Sequence, residues 1–227
     1  MASSFDASYF RRYYESRRSR VYGQDQIAEL ARGVTGFVRW FGGDVESVLD
    51  VGAGTGLWRD WFHENLPAVR YRSVDVSAYA CETYGHERRD IARWRGREKF
   101  DLVVCQGVLP YLDDEPCERA IANMAGMCRG FLYVEAVTAR DLREVVDRSK
   151  TDVSVRARPA TFYRRLLVAV ARLQGHAARL VHDPLRQVRE LLHVLAHRDL
   201  RGVARAVLQG THGLPVEGVE LLDGARA

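Results

Sequence analysis

The residues VLDVGAGTG at positions 48–56 carry the clearest chemical signal in the sequence. Gly52, Gly54 and Gly56 follow an apolar run, where backbone N–H groups and the start of a helix would normally hold a phosphate. Asp50 stands in front of these glycines, two residues before Gly52, and a fixed carboxylate there would repel a phosphate. The pattern therefore favours a ligand that approaches the glycines closely and carries positive charge near Asp50.

The glycine spacing also argues against a nicotinamide dinucleotide. The dinucleotide fingerprint G-x-G-x-x-G would require glycine at position 57, and that residue is leucine. A tight turn between a strand and a helix, without any ligand, is the alternative for a glycine motif that stands alone.

Two further acidic residues follow later strand-like segments. Asp75 ends an apolar segment, at a position where a carboxylate can accept both hydroxyls of a ribose. Asp90 precedes the apolar Ile91, a pair suited to the amino group and the ring of an adenine. Each aspartate alone is equally typical of a helix cap or a turn. Together with Asp50 they place three acids at successive strand ends, which indicates a nucleoside ligand.

Strand-like and helix-like segments alternate through the first part of the chain. The apolar patterns predict an α/β fold with a Rossmann-like, doubly wound, mostly parallel sheet covered by helices on both faces. Ligands of such a sheet lie at the carboxyl ends of its strands. The predicted strands are 45–51, 69–76, 100–106 and 131–137, and the predicted helices are 27–41, 56–66, 77–85 and 114–128.

These motifs resemble those of the class I S-adenosylmethionine-dependent methyltransferases. The resemblance covers about residues 20–137, with VLDVGAGTG, SVDVS, RRDIARW and FDLVVCQGVLPYLDD in the order and spacing of that family. It implies S-adenosylmethionine as the cofactor, a molecule with ribose and adenine but no phosphates. Its ammonium and sulfonium groups would explain the carboxylate of Asp50 beside the glycines.

The resemblance also implies a set of cofactor-binding residues. Asp75 is expected to bind the ribose, with Val76 against the adenine, while Asp90 and Ile91 are expected to contact the adenine itself. The residues expected around the methionine portion and the transferable methyl group are Asp50, Gly52, Ala53, Gly54, Gly56, Gln106 and Gly107.

The acceptor is less well defined by the sequence. Residues 105–110 read CQGVLP, which is neither the N/D-P-P-Y motif of amino-methylating nucleic-acid enzymes nor the Pro-Cys motif of cytosine C5 enzymes. Cys105 is therefore expected to be a packed thiol, no catalytic residue is assigned, and no metal-ligand pattern is predicted. In-line methyl transfer needs mainly proximity and alignment. The residues expected to line the substrate pocket are Tyr13, Tyr14, Tyr22, Leu109 and Tyr111.

The composition favours a small-molecule acceptor over nucleic acid. The net charge is +4, yet residues 1–163 contain 24 basic and 24 acidic residues, so the excess lies beyond them. The absence of an apolar run of ~20 residues and of a secretory context predicts a cytoplasmic protein without a membrane span. An RNA methyltransferase that uses the arginine-rich ends and a noncatalytic S-adenosylmethionine-binding regulator are the alternatives.

The composition changes near residue 165, after which no Phe, Tyr or Trp occurs. We predict a cofactor-binding methyltransferase domain with an N-terminal helical lid over 1–165 and a basic, aromatic-free tail over 166–227. Helical spacing of Leu185, Val188, Leu192 and Leu195 predicts that this tail is helical. A basic interaction helix and a replaced terminus are both compatible with its composition. Residues 151–155 and 216–222 are weak strand candidates.

Overall fold

The computed structural model describes residues 5–16, 18–173, 177–180 and 192–195. Its strands are β1 Ser47–Val51, β2 Arg70–Asp75, β3 Glu87–Arg88, β4 Phe100–Gln106, β5 Cys128–Glu135, β6 Ala177–Leu180 and β7 Leu192–Leu195. Its helices are α1 Ala7–Phe10, continued by a π-helical turn Arg11–Glu15, and α2 Gln24–Trp40, α3 Leu57–Asn65, α4 Ala78–Tyr84, α5 Asp114–Met127, α6 Ala139–Glu144 and α7 Ala160–Leu173.

The strands form one sheet in the order β3-β2-β1-β4-β5-β7-β6. The first five are parallel, and their register places Val51 opposite both Val74 and Cys105, so their carboxyl ends reach one edge together. The helices between these strands make the crossovers that parallel pairing requires. The predicted doubly wound, mostly parallel sheet is confirmed.

Both faces of the sheet are covered because side chains alternate along each strand. Val48 and Leu102 face one hydrophobic cluster, which α2 and α3 complete with residues such as Phe62. Leu49 and Val103 face the other cluster, which α5 and α7 cover. Since the central strands β1 and β4 are largely buried on both faces, the sheet supports the loops at its carboxyl edge.

Two residues that the spacing assigned to a helix of the tail lie instead in a strand. Leu192 and Leu195, which the spacing placed on a helix, lie in β7, which pairs antiparallel with β5 and with β6. The outer edge of β5 would otherwise leave backbone N–H and C=O groups unpaired, and this pairing satisfies them. Residues 151–155 are irregular, whereas Leu185, Val188 and the strand candidate 216–222 lie outside the described residues.

The predicted composition boundary near residue 165 falls within α7. Leu167 and Ala171 lie beyond it and are buried in the same hydrophobic cluster as Leu132. The core therefore extends at least to residue 171. None of the helices in the described ranges has the length and apolar character needed to cross a membrane.

Candidate active site

The glycine loop connects β1 to α3 at the carboxyl edge of the sheet. Gly52, Gly54 and Gly56 all have positive φ angles, of 74°, 58° and 81°, a region that other residues rarely adopt. A Cβ atom on Gly52 would lie 2.2 Å from Cγ2 of Val108, so even alanine would clash there. The loop needs glycine for its backbone conformation and for its close approach to Val108.

Asp75 supports this loop from the end of β2. Its Oδ2 accepts a hydrogen bond from the backbone N–H of Gly54 at 3.0 Å, and its Oδ1 accepts one from that of Ser77 at 2.8 Å. Two carboxylate oxygens offer about four acceptor positions, so this geometry leaves capacity for a ligand's hydroxyl groups. The arrangement suits the role expected for Asp75.

Asp50 lies behind the loop rather than on the wall of a cavity. It is 2% exposed, and its Oδ2 accepts a hydrogen bond from the Tyr71 hydroxyl at 2.7 Å. Burial raises the pKa of Asp50 to about 7, although the Tyr71 hydrogen bond acts in the opposite direction. Asp50 can therefore influence a ligand at the loop through its charge, from behind the backbone.

A cavity opens between the glycine loop and the N-terminal segment. It contains about 910 Å³ of space between atoms, part of which is open solvent. Nine of the residues expected at the site line this cavity together: Tyr13, Tyr14, Tyr22, Gly52, Ala53, Gly54, Gln106, Gly107 and Tyr111.

The other expected residues are not on the cavity wall. Leu109 is fully buried in the core under the turn 109–111, and Ile91 is 5% exposed. Val76 is 48% exposed beside Asp75, and Asp90 accepts a hydrogen bond from the N–H of Ala92 at 2.9 Å. Val76 thus follows β2, Asp90 and Ile91 follow β3, and none of the three is among the residues that line the cavity.

Glu135 lines the cavity and was not predicted. Its Oε1 accepts a hydrogen bond from the Tyr22 hydroxyl at 2.7 Å, and its Oε2 accepts from the Tyr133 hydroxyl at 2.9 Å and from Nε2 of Gln106 at 3.2 Å. Oε1 of Gln106 in turn accepts a hydrogen bond from the Trp58 indole at 2.8 Å. The signal in the sequence was one acid in the otherwise apolar strand FLYVEAV.

Asp152 also lines the cavity and was also missed. It is 9% exposed, and its Oδ1 accepts a hydrogen bond from the N–H of Ser154 at 2.8 Å. The hydroxyls of Tyr9 and Tyr111 lie 2.7 Å apart nearby. Burial raises the pKa of Tyr111, and the carboxylate of Asp152 raises it further. We call Tyr9, Tyr14, Tyr111 and Asp152 the phenol cluster.

A buried arginine fixes the turn that carries Tyr111. Arg158, 5% exposed, donates to the carbonyl oxygens of Leu109 and Leu112 and to Oδ1 of Asp114. Its guanidinium also stacks 4.7 Å from the ring centre of Phe162 in α7. These contacts hold the turn against α5 and α7, so the wall of the cavity is rigid at Tyr111.

The N-terminal segment covers the opposite wall. Phe10 is 3% exposed and packs against the rings of Tyr14 and Tyr79 at centre distances of 5.5 and 5.4 Å. The Ser77 hydroxyl donates to the Phe5 carbonyl oxygen, beside Asp75. The segment therefore connects the end of β2 to the cavity.

Cys105 and His86 have structural environments. Cys105 is fully buried, and burial raises the pKa of its thiol, so the predicted packed thiol agrees with its position. Nδ1 of His86 lies 2.8 Å from the Ser73 hydroxyl, and its Nε2 lies 3.1 Å from the Gly54 carbonyl oxygen. His86 thus braces the glycine loop.

Comparison with known proteins gives both a family and a fold. The profile of the family described as "Methyltransferase domain" matches residues 48–130, which include the glycine loop, Asp75 and Gln106. None of the curated proteins has a sequence that matches this chain significantly. The match confirms the expected family and enzyme class, and residues 48–130 are a methyltransferase domain.

Solved structures of several methyltransferases have similar folds. The plantazolicin methyltransferase BpumL, in complex with a monoazolic desmethylPZN analog and SAH, superposes with a TM-score of 0.62 at 13% identity, covering 77% of this chain and 85% of that chain. Magnesium protoporphyrin IX methyltransferase from Synechocystis PCC 6803, with bound SAM, gives 0.56 at 16% identity, covering 86% and 95%. An amino pentose methyltransferase from Micromonospora echinaspora gives 0.56 at 16%, covering 79% and 94%. The class I methyltransferase fold is confirmed.

Proposed function

We propose that this methyltransferase transfers a methyl group from S-adenosylmethionine to a small-molecule acceptor. The observation that carries the proposal is the convergence of the glycine loop, Gln106 and the phenol cluster on one cavity. The three similar structures support the donor, because their names record SAM or its demethylated product. The three names also record an acceptor: plantazolicin, magnesium protoporphyrin IX and an amino pentose.

The loop and strand ends fit this cofactor. Gly52 and Gly54 would allow the methionine portion to approach the backbone, and Asp75 has acceptor capacity left for the ribose. Val76 is exposed next to Asp75, where it can pack against an adenine ring, and Asp90 follows β3 on the same side. When bound, S-adenosylmethionine supplies a methyl carbon activated by its sulfonium.

The residues of the chain mainly position the reactants and exclude water. The Glu135–Gln106–Trp58 chain of hydrogen bonds fixes the wall next to the glycine loop, and Arg158 fixes the turn of Tyr111 opposite. Alignment of this kind can supply much of the rate of a displacement reaction. No dedicated base is needed for an acceptor that presents a free lone pair.

The charge of the cavity favours a small molecule over RNA. Among the described residues, those that line the cavity include the acids Glu135 and Asp152 and no lysine, arginine or histidine. Phosphates would be repelled there, and affinity for nucleic acid depends on cationic side chains.

Calorimetry and methyl-transfer assays test this proposal together. We expect S-adenosylmethionine and its demethylated product to bind, NAD not to bind, and label from a methyl-labelled donor to enter a small-molecule pool. Tight binding of NAD without affinity for S-adenosylmethionine would refute the cofactor. Label in an RNA pool alone would refute the small-molecule acceptor.

A further inference from the structure

Two acids on the cavity wall have no cationic partner in the described part of the chain. Glu135 is held by three neutral donors, from Tyr22, Tyr133 and Gln106. Asp152 is 9% exposed and accepts from the Ser154 backbone. The arginines that follow Asp152, Arg156 and Arg158, pair instead with Asp113 and Asp114.

The neighbouring tyrosine hydroxyls do not change the negative charge of the two acids. Burial raises the pKa of Tyr9, Tyr14, Tyr22 and Tyr111, so all four stay neutral at physiological pH. A buried carboxylate without a counter-charge is costly, and a bound cation reduces that cost. Positively charged groups are therefore favoured beside Glu135 and Asp152, and phosphates are disfavoured there.

The positions of the two acids indicate a different ligand for each, the cofactor for Glu135 and the acceptor for Asp152. Glu135 contacts Gln106, next to Gly107, in the segment expected to flank the methionine of the cofactor. The ammonium and sulfonium of S-adenosylmethionine can therefore balance its charge. Asp152 belongs to the phenol cluster, on the acceptor side, where the cofactor brings no second amine.

Tyrosine rings line the same cavity as Asp152. The ring of Tyr9 is tilted against those of Tyr13 and Tyr14 at ring-centre distances of 5.1 and 5.9 Å, and its hydroxyl contacts that of Tyr111. Aromatic faces attract ammonium groups, most strongly when water is excluded. A carboxylate among tyrosines matches an ammonium group attached to an apolar body.

We propose that the acceptor is an amine, held in its ammonium form by Asp152 within the phenol cluster; this inference rests on the proposed function. An ammonium nitrogen has no lone pair, so it must lose one proton, which the carboxylate of Asp152 accepts. The nitrogen then bonds to the methyl carbon while the carbon–sulfur bond breaks and its electron pair stays on sulfur. The methylated nitrogen carries the positive charge, and Asp152 returns its proton to water.

Matched acceptor pools test the substrate class. Three pools share the same one-ring and two-ring skeletons and end in a primary amine, a hydroxyl or a carboxylate. We expect label from the methyl donor in the amine pool, and binding of that pool by calorimetry in the presence of the demethylated cofactor. Label in the hydroxyl or carboxylate pool alone would overturn the amine and leave the proposed function intact. Label in none of the pools would overturn both.

Variants of Asp152 test its role. Asp152→Asn keeps an oxygen acceptor for the Ser154 N–H but loses the charge, so the kcat/KM for the amine is expected to fall at least tenfold. Its affinity for S-adenosylmethionine should change less than twofold, and Asp152→Glu should restore part of the activity. The exposed Asp147→Asn is the matched control, since Asp147 also accepts a backbone N–H in this segment.

Two results would overturn the assignment of Asp152. One is a loss of cofactor affinity in Asp152→Asn with unchanged amine binding, which would place the cofactor's ammonium at this carboxylate. The other is a kcat/KM equal to that of the Asp147→Asn control. If Asp152→Asn does not fold, Asp152→Glu still decides the matter, because a displaced carboxylate must alter the KM for the amine and not that for the cofactor.

Discussion

The hydroxyl of Tyr71 lies 2.7 Å from Oδ2 of Asp50, directly behind the glycine loop. This hydrogen bond is the only described side-chain contact that supports a carboxylate buried to 2% exposure. Burial dominates, and it raises the pKa of Asp50 to about 7. Asp50, the acid in front of the glycine loop, is thus a titratable group behind that loop.

The stability of the protein should consequently depend on pH through Asp50. The pKa of an unfolded aspartate is about 3.9, so between about pH 4 and 7 the folded state binds more protons than the unfolded state. The free energy of unfolding should fall as the pH rises through this window. Asp50→Asn removes the effect, and it should be more stable than the parent by about 2 to 4 kcal/mol at pH 8 and equal to it near pH 4.

Urea unfolding at several pH values checks this prediction. The exposed Asp44→Asn, on the opposite edge of the sheet, serves as the control and should track the parent. If the curves of Asp50→Asn and the parent remain parallel from pH 5 to 8, Asp50 does not titrate in this window.

Asp75→Ala should weaken the binding of S-adenosylmethionine by about 1 to 3 kcal/mol, because it removes acceptors for the ribose and leaves the Gly54 and Ser77 N–H groups without theirs. The affinity of Asp75→Asn should lie between those of the parent and Asp75→Ala, since an amide keeps one oxygen acceptor. Calorimetry on folded variants measures the effect, with Asp44→Ala as control. An unchanged dissociation constant for Asp75→Ala would remove Asp75 from the site.

Gly52→Ala and Gly42→Ala form a matched pair. Both glycines have a φ near 75°, but a Cβ on Gly42 meets nothing within 4 Å, whereas on Gly52 it clashes with Val108. Gly42→Ala should cost about 1 kcal/mol of unfolding free energy and leave cofactor affinity unchanged. Gly52→Ala should cost more, and its affinity should fall at least tenfold.

A double variant tests whether the contact with Val108 causes the loss of cofactor affinity in Gly52→Ala. Val108→Ala combined with Gly52→Ala should recover part of the affinity, since it removes the methyl group that the new Cβ meets. Equal effects of Gly52→Ala and Gly42→Ala would show that the close approach to Val108 has no role.

Val194→Pro should destabilise the fold. Val194 is in β7, paired with Leu132 of β5 on one side and with Ala178 of β6 on the other, so proline removes a ladder hydrogen bond. The free energy of unfolding should fall by about 1 to 3 kcal/mol. Val194→Thr keeps the N–H and should cost less, and equal stability of the two variants would contradict the strand pairing.

Local patterns in the sequence were enough to predict the parallel part of the sheet. The run FDLVVCQ was expected as a strand over 100–106, and β4 has these bounds, because a central parallel strand is apolar on both faces. The acids at the ends of β1 and β2 could be placed at one edge since parallel crossovers bring strand ends together.

Pairing between distant segments could not be read in the same way. The spacing of Leu192 and Leu195 satisfies a helix as well as a strand, and only the free edge of β5 decides between them. Asp152 lies in an irregular segment without periodicity. It reaches the cavity because the chain after it is tied to the turn of Tyr111, where the Arg156 N–H donates to the Pro110 carbonyl at 2.8 Å.

The negative charge of the cavity also favours the exchange of the demethylated product for a new molecule of S-adenosylmethionine. With S-adenosylmethionine as the donor, sulfur is positive before transfer and neutral after it, so the attraction of Glu135 for this atom ends when the methyl group has left. The demethylated product is therefore bound less tightly than S-adenosylmethionine, so a new molecule of S-adenosylmethionine can replace it. Inhibition by the demethylated product should accordingly be weak, and it should become relatively stronger as added salt screens the charge of Glu135.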